Sequence, residues 1–501
     1  MKKTIKLICL CLSLLLVLPL AVACTKGGDG DDTVDLGANN GGGVVIGGND
    51  GQGGTGSDSY TPSGRKYDDA TFNVLVAGQN ALMINCFEYS EEAQTVLDTA
   101  IQKKNAAVEA EYDVKFDFIE DLGKQGAGLT KMQLAKNSNE LEYHLSYVEV
   151  YSVVKLATQG TLYELGSIEG INLDNSWWDQ KAKTDLSING LQFFTTGDID
   201  FYDDMQQFIV MFNRSLFSQK ITDMTVDGLY ETVSEGKWTF DKYYSLGKGL
   251  VRDADGDQDM DKDDEYGMLT WDDTIYAVFS AGGSKIVSND NNTLTLSIIG
   301  DESAIARMTE YTEWTKDNAW NYSRLTGQAG IDMFSNDRAL FFMGRLESLN
   351  NFRHMDSDFG IVPVPKFTED QDYMVGTSTF HYSMICTLNL ADDIDMRGDV
   401  IESCAYWSQQ YLTPAYQEKT LEGQNIRDDG SLETLKIIAA NRIYDIGFFI
   451  QPGRINAELI YLYRAWSTNY ASKYEAVRQT AETDIESVLE AYKDLADYWA
   501  D

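Results

Sequence analysis

The chain has 501 residues, too many for one simple core, so two or three globular units are expected. Its formal net charge of −39 argues against nucleic acid and anionic membrane surfaces as partners, because both are held by clustered Lys and Arg. What remains is a soluble, self-repelling protein with neutral or cationic ligands.

Lys2, Lys3 and Lys6 precede an apolar run over residues 7–23, the pattern of a secretion signal. The run is short and carries Ser13 and Pro19, which speaks against a membrane span. Ala21-Val22-Ala23 leads into Cys24 and resembles the lipobox of bacterial lipoproteins, with Ala at the usual Leu position and Leu20 one step early. The resemblance implies a diacylated Cys24 as mature N-terminus, and two acyl chains anchor stably where one does not. The alternative is an ordinary signal peptide cut nearby. Cys86, Cys386 and Cys404 are then left, an odd number that suits buried thiols better than a disulfide framework. Residues 24–65 are rich in Gly, Asp and Ser and read as a flexible tether.

The body opens with a strand from Thr71 and a helix starting near Ser90, with Val96, Leu97, Ile101 and Ala107 at helical spacing. Residues 114–119 and 143–148 read as strands, with helices over 127–136 and 151–159. Strands alternating with helices imply an α/β unit with a parallel sheet covered on both faces. Residues 190–217 read as two β-prone runs around an acidic gap, a crossover between two lobes, with Gly197-Asp198 as hinge. Asp203 and Asp204 are expected to start a helix or to lie on the surface. A second unit follows, with strands near 266–271 and 338–344 and a Pro-stiffened run over 359–366. Residues 379–388 look like a strand crossing back. The last helices are expected over 400–411, 432–441, 457–466 and 471–498, with Pro414 ending or interrupting the first of them.

The ordered set GD…FIVMFNRSLF, GKWTFDKYYSLGKGL, an acidic loop ending in YGM, FSNDRALFFMG and FGIVPVPK resembles the extracellular solute-binding proteins of bacterial ABC importers, in the cluster with the maltose-binding protein. The resemblance spans about residues 68–495 and implies a two-lobed, type II periplasmic-binding-protein-like fold with the ligand cleft between lobes. It places residues 66–197 with about 378–430 in the first lobe, and 198–377 with about 431–501 in the second. It implies a monomer that captures a mono- or oligosaccharide and docks on a permease, anchored outside the cytoplasmic membrane of a Gram-positive type cell. A surface-displayed adhesion lipoprotein and a glycan hydrolase are the rival readings.

Asp253, Asp255, Asp257, Asp259 and Asp264 fall at positions 1, 3, 5, 7 and 12 of a loop, the spacing with which oxygens enclose calcium. The pattern resembles the loops of EF-hands and dockerins. It departs in having Gly at position 4 and Gln258 at position 6, and in replacing the usual bidentate Glu by Asp264, unless Glu265 serves. A structural Ca2+ is expected, the alternative being a solvated acidic loop.

Ligands of open α/β sheets bind beyond the carboxyl ends of the strands. That rule selects Glu88, Tyr89, Asp121, Glu149 and Tyr151 on the first lobe, Asp198 and Tyr202 on the crossing, and Trp271, Asp272, Arg345 and Glu347 on the second lobe. Carboxylates, Arg and amides suit sugar hydroxyls, and aromatic faces suit the C–H face of the ring. Trp177, Trp178 and Trp466 are further stacking candidates. No catalytic residue is expected: G-x-S-x-G and H-E-x-x-H are both missing, and His144, His354 and His381 are scattered, with His144 and His381 expected in the core.

Overall fold

The computed structural model describes residues 59–80, 83–89, 95–290, 293–321, 327–418, 426 and 428–500. The leader, Cys24, most of the tether and the helix start at Ser90 lie outside them. The tether expected over 24–65 ends sooner, because its last residues are bonded to the body. Tyr60 stacks on Tyr406 at 4.1 Å and donates to Glu111 over 2.6 Å. Ser63, Arg65 and Tyr67 all bond the buried Asp399 carboxylate.

Eleven strands form three sheets among the described residues. The first contains β1 (Ala70–Gly78), β2 (Val114–Leu122) and β3 (Leu145–Glu149), joined by β11 (Ser383–Cys386) in the order β11-β3-β1-β2. The first three run parallel and β11 antiparallel. The second sheet contains β4 (Phe208–Asn213), β5 (Tyr266–Thr270), β8 (Ala319–Asn321), β9 (Ala339–Arg345) and β10 (Phe359–Pro363), in the order β10-β4-β9-β5-β8. A hairpin of β6 (Val287–Asp290) and β7 (Thr293–Leu296) stands apart. β3 and β4 are buried at every position, as strands covered on both faces are, and β4 accordingly reads as a nearly continuous apolar run, while β3 also buries Ser146 and Glu149.

Helix starts follow local chemistry. The helix Val96–Tyr112 begins at a capping box, in which Thr95 Oγ1 accepts from the Asp98 amide and Asp98 returns the bond to the Thr95 amide. Pro414 does not end its helix. Ile394–Trp407 passes into a wide π-turn over Ser408–Leu412 and then into Thr413–Gln417. The extra residue per turn accommodates a proline that has no amide to give.

Among the described residues, three passes of chain join the two large sheets. The first, over 195–208, and the second, over 376–385, run antiparallel, with bridges Thr195–Ile385 and Gln207–Thr377. The third rises at Arg442, where Val375 and Ile443 are hydrogen-bonded. The expected strand over 191–194 is absent, because its neighbours supply only isolated bridges. Gly197 is not a loose hinge. A Cβ there would lie 2.3 Å from the Trp177 carbonyl, so glycine permits a close backbone approach within the first lobe. Asp203 and Asp204 do open a short helix, Tyr202–Met205, but both are buried rather than on the surface.

The C-terminal helix Tyr470–Ala500 does not belong to the second lobe alone. Its first turn bonds Thr312 through Tyr470, while Tyr492 and Trp499 pack on Phe193 and Tyr163 of the first lobe. No helix among the described residues is long and apolar enough to cross a membrane.

Candidate functional site

The carboxyl ends of β1, β3, β5 and β9 point toward the passes that join the sheets. From the first lobe, Tyr151 at the start of the helix Val150–Thr158 donates to or accepts from Thr379 at 2.8 Å and packs edge-on against Phe380 at 5.5 Å. From the second lobe, the buried Tyr276 stacks on Phe380 at 6.0 Å and 12°. Tyr151 and Phe380 are partly open and make an aromatic floor at the second pass, and the fully buried Tyr276 of the second lobe backs it.

Polar groups ring this floor. Arg345, at the end of β9, lies 3.5 Å from Glu347, which also accepts from the Gln206 amide at 3.2 Å. Both charged side chains are partly open to solvent, at 24% and 20% exposure. Arg345 also faces the buried Asp273, whose carboxylate accepts from Ser378 at 2.9 Å. Burial pushes the Asp273 carboxyl up, and Arg345 opposes it. His381 is pushed down to about 3 by burial, helped by Arg345, and so is neutral. Tyr202 is touched from both sides: the Asn85 side chain bonds its hydroxyl and Glu347 faces it. Asp272 is tied by Arg464, whose Nε lies 2.7 Å away, beside the half-buried Trp271.

Of the residues selected from sequence, Trp271 packs on the second-lobe core and Asp272 is held by Arg464, whereas Tyr151, Tyr202, Arg345 and Glu347 stand beside the passes that join the lobes. Others do not. Glu88 faces Glu120 and Asp117 on the edge strand β2, and burial followed by those two charges raises its carboxyl. Tyr89 is half-buried against the core, and Asp121 pairs with Lys124 at 3.2 Å. Glu149 is buried, with one oxygen held by Ser152 at 2.7 Å and the other over Gly128 without a hydrogen-bond partner. Asp198 is turned away into the interior, where Thr413 and Gln409 donate to it at 2.7 and 3.0 Å. Trp177 and Trp178 are core residues whose indole N–H groups both donate to the buried Glu402. Trp466 sits just past the helix Ile455–Arg464 and packs on Tyr463. His144 is satisfied in the core, accepting from the Asn73 amide at 2.9 Å.

Sequence reasoning missed Thr379, Phe380, His381, Asp273 and Tyr276. The strand-end rule covers Asp273 and Tyr276, which follow β5 by three and six residues. The second pass carried no such signal, because its residues were read as one long strand.

The acidic loop has the turn geometry of its spacing. Asp253 accepts from the Gly256 and Gln258 amides, Asp255 from Asp257, and Asp257 from Asp259. Carboxylate oxygens of Asp253, Asp255 and Asp257 lie within 4.8 Å of one another, close enough to share a cation with bonds of roughly 2.3–2.6 Å. Gln258 adopts φ 72°, the left-handed conformation that glycine usually supplies at this position. Asp264 departs from the ligand role: it is buried and its two oxygens accept from Ala254 and Asp261 at 2.7 Å each, clamping the ends of the loop. Those amides, Asp261 first, hold its carboxyl below the usual range. Glu265 pairs with Arg252 at 3.0 Å instead of turning inward.

No family model and no curated protein matches the chain. Solved structures do. A cyclo/maltodextrin-binding protein complexed with maltotetraose superposes with a TM-score of 0.53 at 12% identity, covering 86% of this chain and 98% of that one. The chain has the fold of the ABC solute-binding proteins. A solute-binding protein from Agrobacterium radiobacter K84 in complex with ribitol gives 0.52 at 11% identity, over 84% of this chain and 100% of its own. UgpB from Mycobacterium tuberculosis in complex with glycerophosphocholine gives 0.52 at 13%, over 77% and 95%. In the language of that fold, the three described passes are the hinge.

Proposed function

We propose that the chain is the substrate-binding component of an ABC importer and captures a carbohydrate between its lobes. The observation that carries this reading is the partly open floor of Tyr151 and Phe380, backed by the buried Tyr276 and ringed by Arg345, Glu347 and Asn85. Aromatic faces accept the C–H side of a sugar ring, and the charged and amide groups suit its hydroxyls. Each lobe contributes part of the ring, so a ligand gains its full set of contacts only when both lobes hold it. That difference in affinity is what drives closure. The structures that share this fold were solved with maltotetraose, a polyol and glycerophosphocholine, which supports a hydroxyl-rich ligand.

The chain then performs no covalent chemistry. The reading extends to a lipid on Cys24, attachment to the outer face of the cytoplasmic membrane, delivery to a permease, a monomeric state and a structural Ca2+ on Asp253, Asp255 and Asp257. Such an ion would neutralise the convergent carboxylates and stiffen the entry to β5.

Intrinsic tryptophan fluorescence titrated against a panel of mono- and oligosaccharides and polyols tests the reading. A saturable change with a sugar, with compaction in solution scattering, supports it. No response to any member of the panel overturns the carbohydrate assignment, and turnover of a bound glycan overturns the non-enzymatic one.

A further inference from the structure

The hinge carries an unusual load of acid. Asp179, Asp198, Asp200, Asp203 and Asp204 are all at least nine-tenths buried, with exposures of 8, 6, 3, 2 and 6%. They come from two places: Asp179 caps the first-lobe helix Gln180–Leu186, and the other four lie on the first pass. One guanidinium, on the third pass, sits among them. Arg442 donates to Asp203 at 3.2 Å, to Asp204 at 2.6 Å and to Asp179. Tyr444 of the same pass donates to Asp179 and Asp203 at 3.2 and 3.4 Å. Thr196 donates to Asp200 and Asp203 at 3.1 and 3.0 Å.

The remaining neighbours add little positive charge. Asp200 faces Cys86, Tyr147 and the buried Lys104, whose own amine is pushed down by burial and spent on the Cys86 carbonyl at 2.9 Å. Tyr382 faces Asp203 from the second pass. Asp198 has only the neutral donors Gln409 and Thr413 in contact with it. A dry interior cannot hold so many like charges against one guanidinium, so some of these carboxyls stay protonated.

We propose that bending at the hinge is linked to proton binding, the closed hinge holding protons on this acid cluster that an opened and hydrated hinge releases. The geometry supplies the coupling. Arg442 bridges Asp179, which moves with the first lobe, to Asp203 and Asp204, whose short helix packs against the 3-10 turn Leu346–Asn351 of the second lobe. Opening separates these partners and admits water, and a hydrated carboxyl gives up its proton more readily. Closure is therefore favoured by falling pH. Asp204, which Arg442 bridges to Asp179, is held at about 8 by burial, and the link acts near that value.

Solution scattering of the ligand-free chain between pH 5.5 and 9, with far-UV circular dichroism on the same samples, tests this without any sugar. Its outcome is thus separate from the carbohydrate reading. The expected result is a reversible rise in radius of gyration centred near the value of Asp204, about 8, with secondary structure unchanged. Asp200→Asn, which copies a protonated carboxyl and does not touch Arg442, should shrink the rise. Asp204→Asn, at the bridged contact itself, is the second variant if the first does not fold. A radius that does not change with pH overturns the proposal. So does a rise accompanied by loss of secondary structure, or one that the folded variant reproduces in full.

Discussion

Arg442 reaches Asp204 at 2.6 Å, although 238 residues separate them in the chain. The pair joins the third pass of the hinge to the first, and Arg442 is the guanidinium on which three of the buried acids converge.

Replacing Arg442 by Met should therefore leave buried carboxylates uncompensated. Breaking a buried pair from one side costs on the order of 3–5 kcal/mol. The cost here should fall at the low end, because the acids answer by taking up protons. The chemical denaturation midpoint at pH 7.5 measures it, and a change under about 0.5 kcal/mol, the usual size of a neutral surface substitution, would remove Arg442 from its central role.

The same acids set the sign of the pH dependence. Asp198 and Asp204 are raised by burial to about 7 and about 8, above the ordinary value of 3.8. The folded state then binds more protons than the unfolded one in that interval, so stability falls as pH rises. Their protonated forms keep the fold whole near pH 4; the loss grows through neutrality and is complete above about 8. Denaturation midpoints at pH 5.5 and 8.5 should differ in that order. The reverse order would mean that ordinary, depressed carboxylates dominate.

Glu402 holds together a different part of the first lobe. Its two oxygens accept from Asn175, Trp177, Trp178 and the Asn172 amide at 2.6, 3.1, 2.8 and 3.2 Å. Burial lifts it to about 7 despite those donors. Glu402→Gln swaps one acceptor for a donor and leaves an indole N–H facing an NH2 group. The expected loss is about 1–3 kcal/mol, with a shift in tryptophan emission. Unchanged emission would show that the indoles keep their partners.

Arg345 should matter to ligand rather than to folding, since its side chain is partly exposed and its pair with Glu347 is long at 3.5 Å. Arg345→Ala should weaken the best sugar of the panel by about tenfold, equivalent to roughly 1.4 kcal/mol, at an unchanged melting temperature. Equal affinity in the variant would exclude Arg345 from the ligand.

Calcium on Asp253, Asp255 and Asp257 should stabilise only the folded chain. At a free concentration of about 100 times Kd, the gain is roughly 2.7 kcal/mol. Melting curves with excess calcium and with chelator should separate accordingly, and Asp255→Asn should close the gap. Superimposable curves for the parent protein rule the ion out.

Much of this chain was legible because local geometry writes itself into sequence. The alternation of strands and helices in the first lobe and the two-residue spacing of Asp253, Asp255 and Asp257 each depend on neighbours within a few residues, whereas the helix expected from Ser90 is described from its Thr95 cap onward. The strand-end rule picked out Tyr151, Arg345 and Glu347, which lie beside the passes, for the same reason: a strand's end is a local event. Asp198, Asp203, Asp204, Trp177 and Trp178 look in sequence like any acids and indoles near a turn. Only the tertiary structure decided that the acids form a buried hinge cluster and that the indoles serve Glu402. Burial of a charge and the identity of its partner are set by chain that arrives from far away, here by Arg442 and by the helix that carries Glu402. No window along the sequence contains both members of those pairs.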